Sequence, residues 1–149
     1  MTRIYIAGPL FSKAELDFNE DLNGFLIKQG YCTFLPQKDG MELEVLLSNG
    51  MPKEEAMQKI FELDIKEVLK CDILLLIMDG RIPDEGACVE LGLAFGVGKK
   101  CVGIKTDVRS MIDGLDNPMI IGCLQNRIAN DFVSLNKIIC ELVQFDSTL

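Results

Sequence analysis

An acidic residue close to a predicted helix start is the first candidate for chemistry. Glu90 lies in the segment PDEGACVELG at residues 83–92, three residues after Ala87 and four before Ala94. On a helix these three side chains share one face, which places Glu90 at the rim of the core-facing side. A carboxylate that is partly withdrawn from water is unfavourable unless it is paired or used. From the spacing alone, a solvated glutamate on the helix flank is an equally simple interpretation.

A second acid interrupts an apolar row. Met57, Phe61, Asp64 and Val68 fall at i, i+4, i+7 and i+11, so a helix would carry them on one stripe. The stripe predicts that Asp64 is drawn toward the core. An edge position from which the carboxylate reaches water would also explain it.

Three further sequence features, at Asp84, Tyr5 and Gly8-Pro9, can each be explained by structure alone or by a role in binding. Asp84 stands where a helix N-cap is expected, and capping alone would explain it. Tyr5 lies inside a predicted first strand, where its ring would pack in the core and its hydroxyl would need a partner. Gly8-Pro9 ends that strand, and the glycine either makes a turn or admits a ligand close to the backbone.

The composition excludes several kinds of site. The chain contains no histidine, which removes Ser–His and Cys–His catalysis and histidine-based zinc sites. Neither a G-x-x-x-x-G-K-[ST] loop nor G-x-G-x-x-G occurs, so dinucleotide or ATP binding is not supported. The six cysteines form no C-x-x-C pair and are interpreted as buried free thiols. We therefore expect neither a metal nor a cofactor.

The length and charge of the chain narrow its class. A chain of 149 residues fits one domain, spanning 1–149. The formal net charge of −8 argues against a nucleic acid polymer as partner, because binding phosphates needs clustered Lys and Arg. No signal-peptide pattern opens the chain, and every apolar stretch is shorter than the roughly 20 residues of a membrane span. These features predict a cytoplasmic protein that does not enter a membrane.

The elements that must position these side chains alternate between strands and helices. The strongest strand signal is DILLLIM, an apolar run typical of a strand covered on both faces. Strands are predicted at 3–7, 31–35, 72–78 and 101–104, with a last short strand or turn after 118–123. Helices are predicted at 13–29, 53–70, 85–98 and 131–145. The stretch 37–52 is predicted to be a mobile loop over the site, with at most a short helix at 42–47.

This alternation predicts a flavodoxin-like, Rossmann-like three-layer α/β sandwich with a central parallel sheet of about five strands. Such sheets bind ligands at the carboxyl ends of their strands, near the point where strand order reverses. Gly8-Pro9, residues 79–85 and the loop after Ile104 are therefore expected around one crevice.

Four segments together resemble the nucleoside 2-deoxyribosyltransferase family: IYIAGPLF at 4–11, the pair Asp64/Asp72, PDEGACVELG at 83–92 and DNPMI at 116–120. The resemblance implies transfer of a 2-deoxyribosyl group between nucleobases in nucleoside salvage. It also implies a ping-pong, retaining reaction through a covalent sugar–glutamate intermediate.

The resemblance assigns a role to each candidate residue. Glu90 matches the nucleophile, and Tyr5 the tyrosine that hydrogen-bonds and orients it. Asp64 matches the acid that faces the nucleobase and is implicated in its protonation. Asp84 matches the residue that holds a sugar hydroxyl. Asn117 matches the contact to the sugar 5′-hydroxyl, often made across a subunit interface.

The same resemblance implies substrate contacts at Gly8, Pro9 and Met119. It implies 2′-deoxynucleosides and free nucleobases as substrates, and a homo-oligomer built from dimers.

Two other functions stay open. A 2′-deoxynucleoside 5′-phosphate N-hydrolase would share the fold and the glutamate but carry a serine-type phosphate contact at the position of Asn117. The net charge of −8 and the Asp116-Asn117 pair favour a neutral nucleoside instead. A flavodoxin-like binding module without catalysis would leave Glu90 and Asp64 as solvated acids.

Overall fold

Five short strands form one all-parallel sheet in the computed structural model, which describes residues 1–146. The order across the sheet is β2-β1-β3-β4-β5. The strands are β1 Arg3–Ala7, β2 Cys32–Phe34, β3 Ile73–Ile77, β4 Lys100–Ile104 and β5 Ile128–Ala129. The predicted parallel sheet of about five strands is confirmed.

The middle of the sheet is apolar because helices cover both of its faces. Every residue of β3 (ILLLI) is buried, as expected for a central parallel strand. The helices are α1 Lys13–Lys28, α2 Pro36–Asp39, α3 Leu43–Ser48, α4 Lys53–Lys70, α5 Glu85–Gly96, α6 Pro118–Leu124 and α7 Phe132–Asp146.

Two apolar clusters fill the layers. One joins Leu22 of α1 and Leu135 of α7 to alternate residues of the sheet. The other joins Val68 of α4, Leu91 of α5 and Leu124 of α6 to the opposite set. The predicted three-layer sandwich is therefore observed.

The order of strands reverses between β1 and β3. The chain runs from β1 outward to β2, and then returns to place β3 on the other side of β1. The crevice at the carboxyl ends of β1 and β3 is the usual place for a ligand in such a sheet.

The prediction of a loop over 37–52 is wrong at its start, where the chain forms α2, whereas α3 agrees with the short helix that was allowed at 42–47. Pro36 occupies the first turn of α2, where its fixed φ is suited to a helix. The carboxylate of Asp39 accepts a hydrogen bond from the backbone N–H of Leu35, and Gln37 is tied to Asn19 of α1. These two hydrogen bonds stabilise α2 although its sequence lacks the apolar periodicity of a helix.

Two other predictions need correction. Met57 and Phe61 do not continue the buried row of α4: they are 52% and 58% exposed, because the face of the first half of the helix that is turned inward carries Ala56, which is fully buried. Of the six free cysteines only Cys71 and Cys101 are buried, so burial of all six is wrong.

Within residues 1–146, no helix is long and apolar enough to cross a membrane.

Candidate active site

Tyr5 and Glu90 meet at the centre of the site. The phenol of Tyr5, fully buried in β1, donates a hydrogen bond of 2.6 Å to Oε1 of Glu90 on α5. The ring of Tyr5 stacks on Phe34 of β2 with 5.3 Å between the centroids, which fixes its direction. One oxygen of the glutamate is thereby held, and Oε2 remains for other contacts.

The surroundings of Glu90 oppose its ionisation. Burial raises the pKa of Glu90 to about 7, the hydrogen bond from Tyr5 counteracts this, and the nearby charges of Asp64 and Asp84 add to the rise. Burial and the glutamate charge raise the pKa of Tyr5, so its hydroxyl keeps its proton and stays a donor. A carboxylate that titrates near neutrality inside a crevice is a candidate for catalysis.

Asp64 lies on the flank of α4 that faces this pair. Its side chain is half-buried, and burial raises its pKa. Its charge acts on both Tyr5 and Glu90, which places it close to them. No hydrogen bond reaches its carboxylate from the residues described, so a raised-pKa acid is available to a substrate.

Asp84 caps the helix that carries Glu90. Its Oδ2 accepts a hydrogen bond of 2.8 Å from the backbone N–H of Ala87, which fixes the start of α5. The predicted cap is therefore present. Gly86 lies four residues before Glu90 and so on the same helix face, with no side chain to cover the path to the carboxylate.

Gly8 marks the closest approach of β1 to β3. A Cβ built on it would lie 2.8 Å from Cβ of Ile77, too close for any other residue without a shift of the strand. The carbonyl of the next residue, Pro9, accepts a hydrogen bond from the amide of buried Asn19. The Gly-Pro turn is thus fixed by packing on one side and a hydrogen bond on the other.

Three clefts open around this edge of the sheet, and Gly80 and Arg81 line all three. The cleft nearest the site, of about 540 Å³, lies between the β1 loop and the start of α5, with Pro9, Asp84 and Gly86 in its wall. A second of about 420 Å³ lies on the α1 side, and a third of about 620 Å³ lies toward α6. Tyr5, Glu90 and Asp64 line none of these three clefts.

Asn117 and Met119 lie apart from this group. Asn117 is exposed at the start of α6, where its Oδ1 caps the helix by accepting from the backbone N–H of Met119. It lines the α6-side cleft and does not line the one that contains Asp84. Met119 is 75% exposed. The structure thus brings Tyr5, Glu90, Asp64 and Asp84 together and leaves these two residues outside.

Two aspartates that the sequence had given no role join the loops of this edge. Asp79, directly after β3, accepts hydrogen bonds from the backbone N–H and the hydroxyl of Thr106 and from the N–H of Asp107. Asp107 in turn accepts from the backbone N–H groups of Gly80 and Arg109. The only available signal was position, since each aspartate follows the end of a buried strand.

The reactions that this site could catalyse are determined by its carboxyl groups. Glu90 can act as a nucleophile when it is ionised, and Asp64 can give a proton when it is neutral. A hydroxyl-bearing ligand would find an acceptor in Asp84 at the rim.

The model of the nucleoside 2-deoxyribosyltransferase family matches residues 4–139, and the chain belongs to this family. No curated protein sequence matches it.

Solved structures share the fold. A conserved protein from Enterococcus faecalis aligns with a TM-score of 0.75 at 25% identity, covering 95% of this chain and 98% of that one. A 2-deoxyribosyltransferase from Bacillus psychrosaccharolyticus aligns with a TM-score of 0.72 at 22% sequence identity, and the alignment covers 90% of each chain. A CMP N-glycosidase from Clostridium botulinum aligns with a TM-score of 0.54 at 18% sequence identity. The alignment covers 92% of this chain and 98% of that one.

Proposed function

We propose that the protein transfers a 2-deoxyribosyl group from one nucleobase to another through a covalent ester on Glu90. The observation that carries the proposal is the hydrogen bond from buried Tyr5 to a glutamate whose pKa is raised to about 7. Membership of the family supplies the reaction class.

In the first half-reaction, Oε2 of Glu90 attacks C1′ of the deoxynucleoside. The N-glycosidic bond breaks, and its electron pair leaves with the base. Protonation of the base by Asp64 makes it a better leaving group. The oxocarbenium-like charge that develops at the sugar is stabilised by the glutamate, which then bonds to it.

In the second half-reaction, a nitrogen of the incoming base attacks C1′ from the face the first base left. The ester bond breaks, Glu90 recovers its electron pair, and Asp64 takes the proton that the acceptor loses. Two inversions give overall retention at the sugar. Asp84 would hold a sugar hydroxyl, while Gly8, Pro9 and Met119 would line the substrate.

We further propose a homo-oligomer built from dimers, in which Asn117 reaches the 5′-hydroxyl in a neighbouring protomer's site. In the single chain Asn117 lies outside the cleft that contains Asp84. Exposed apolar side chains surround it: Ile82, Met111 and Met119 are 76%, 56% and 75% exposed. Apolar surface of this kind is usually covered by a partner.

The test is a base-exchange assay with deoxyinosine or thymidine as donor and adenine or cytosine as acceptor, for wild type and Glu90→Gln. The variant keeps the shape and an acceptor for Tyr5 but not the nucleophile. We expect it to lose at least about a thousandfold in rate, or roughly 4 kcal/mol of barrier stabilisation. A variant that keeps more than about a tenth of the wild-type rate would exclude the proposed role of Glu90.

A second candidate is hydrolysis of 2′-deoxynucleoside 5′-phosphates. It is favoured by Arg81 and Arg109, which line the cleft next to Asn117 and could meet a phosphate. It is opposed by the absence of a serine at position 117 and by the carboxylate of Asp116 beside it. The same assay without an acceptor, run with both nucleosides and their 5′-phosphates, separates the two. Binding without base release would indicate a non-catalytic module.

A further inference from the structure

The loop after β3 and the loop after β4 are joined by more hydrogen bonds than packing at a sheet edge requires. We define the brace as Asp79, Gly80, Thr106 and Asp107. Asp79 Oδ1 accepts from the backbone N–H groups of Thr106 at 2.6 Å and Asp107 at 3.0 Å, and its Oδ2 accepts from the Thr106 hydroxyl at 2.6 Å. In the opposite direction, the carboxylate of Asp107 accepts a hydrogen bond of 2.9 Å from the backbone N–H of Gly80.

The two halves of the brace hold each other in place. Gly80 has a φ of +125°, a backbone conformation that only glycine adopts readily, and this conformation accompanies the N–H contact to Asp107. Burial opposes ionisation of Asp107, but the hydrogen bonds from Gly80 and Arg109 outweigh it and lower its pKa. Hydrogen bonds to a charged carboxylate are among the stronger ones in proteins.

A short path of contacts leads from the brace to Asn117. Lys105 precedes Thr106, and its ammonium pairs with the carboxylate of Asp116 at 2.6 Å. The two side chains of this pair are only 15% and 24% exposed, so solvent screens it less than an ordinary surface pair. Asp116 is the neighbour of Asn117. The position of Asn117 is therefore set relative to β3 through Asp79, Thr106 and this ion pair.

The other loop of the brace leads to Asp84, which follows Gly80 by four residues and begins α5. We propose that Asp79 is a positioning residue for sugar recognition. It fixes the Asn117-bearing loop relative to β3 and to the loop that presents Asp84, so that Asn117 meets the 5′-hydroxyl in the neighbouring protomer's site. This inference rests on the proposed deoxyribosyl transfer and adds to it a residue that lines the same cleft as Asp84 but acts through the loop that carries Asn117.

The test pairs variants of the brace with a substrate that lacks the hydroxyl. Adenine release or exchange is measured for 2′-deoxyadenosine and for 2′,5′-dideoxyadenosine, which has no 5′-hydroxyl. We expect Asp79→Ala to lower kcat/KM for 2′-deoxyadenosine about tenfold or more, while changing that of the dideoxy analogue less than about twofold. Asn117→Ala should give the same pattern.

Thr106→Val is the milder variant, because it keeps the side-chain shape and removes only the hydroxyl bonded to Asp79. A selective loss of about threefold is expected from it. Thr106→Ser keeps the hydroxyl and is the matched control, expected within about twofold of wild type on both substrates. Thermal unfolding of each variant shows whether it is folded at the assay temperature.

The outcomes separate two failures. Equal losses on both substrates, or no loss from Asp79→Ala and Thr106→Val, would overturn the positioning role while leaving deoxyribosyl transfer intact. A wild-type protein that releases no base from 2′-deoxyadenosine, deoxyinosine or thymidine would overturn the proposed function, and the positioning role with it.

Discussion

Glu90 combines two requirements that oppose each other. A carboxylate must be withdrawn from water to be reactive and to keep water from an ester, yet it must be ionised to attack. Burial raises its pKa to about 7, and the hydrogen bond from Tyr5 limits that rise. A substantial fraction of Glu90 is thus ionised at neutral pH although its carboxyl is largely withdrawn from water.

The pH dependence of turnover tests this balance. Because the ionised form attacks, kcat/KM should rise with pH through about 7. Tyr5→Phe removes the hydrogen bond that lowers the pKa of Glu90, so the rising limb should move to higher pH. The measurement is kcat/KM between about pH 5 and 9 for wild type and variant.

Tyr31→Phe is the matched control, since its hydroxyl bonds Asn136 far from the site. It should leave the profile unchanged. A rising limb that stays in place, or moves to lower pH, in Tyr5→Phe would show that this hydrogen bond does not favour the ionised glutamate.

Helix α5 is the element that presents the site. Its first residue follows the cap of Asp84, its Ala87 and Ala94 pack against the sheet, and Glu90 lies between them on the same side. The small alanines let the helix lie close to β1, so that a glutamate reaches the Tyr5 hydroxyl. The side chain that caps this helix is therefore also the one proposed to hold the sugar hydroxyl.

The contribution of the Asp84 cap to the stability of α5 can be measured by substitution. Asp84→Ala loses the bond to the N–H of Ala87 and should lower the free energy of unfolding by about 1 kcal/mol. Asp84→Asn keeps an acceptor oxygen and should lose much less. Urea unfolding of the two variants and wild type measures this difference. Equal destabilisation by both would show that the charge of Asp84, and not the cap, stabilises α5.

The elements show where sequence reasoning succeeds. The unbroken apolar run of β3 and the spacing of Ala87, Glu90 and Ala94 depend on local periodicity, and both were predicted. Helix α6 was missed although Asn117-Pro118 is a helix-start signal, because the helix is short and lacks a clear stripe. That the loops after β3 and β4 lie around one crevice was predicted from the alternation of strands and helices. The hydrogen bonds of the brace were not, since they depend on the exact positions that Asp79 and Thr106 take once β3 and β4 pair.

At the scale of the whole molecule, one chain brings together four of the predicted site residues and places two predicted contacts, Asn117 and Met119, elsewhere. Tyr5, Glu90, Asp64 and Asp84 converge, whereas Asn117 lies on an exposed rim beside Met119. Family membership was implied by short motifs spread along the chain, and the match over residues 4–139 confirms it.

Complementation between protomers impaired at different residues tests the proposed assembly. Glu90→Ala and Asn117→Ala chains carrying different tags are co-expressed, and hetero-oligomers are purified through both tags. If Asn117 serves a neighbouring site, the hetero-oligomer contains intact sites and should regain activity. A hetero-oligomer of Glu90→Ala and Asp84→Ala is the control, because both residues lie on α5 of one chain.

Restored activity only in the first hetero-oligomer would support the shared site. If neither regains activity while each variant still assembles, Asn117 does not act across an interface.

The covalent role of Glu90 is tested most directly by mass spectrometry of the denatured protein after brief incubation with a 2′-deoxynucleoside and no acceptor base. Wild type should gain the mass of one deoxyribosyl group, mapped by peptide digestion to Glu90, and the gain should disappear when adenine is added before quenching. Glu90→Gln should gain nothing. Base release at the wild-type rate without any adduct, or an adduct on a different residue, would contradict the mechanism.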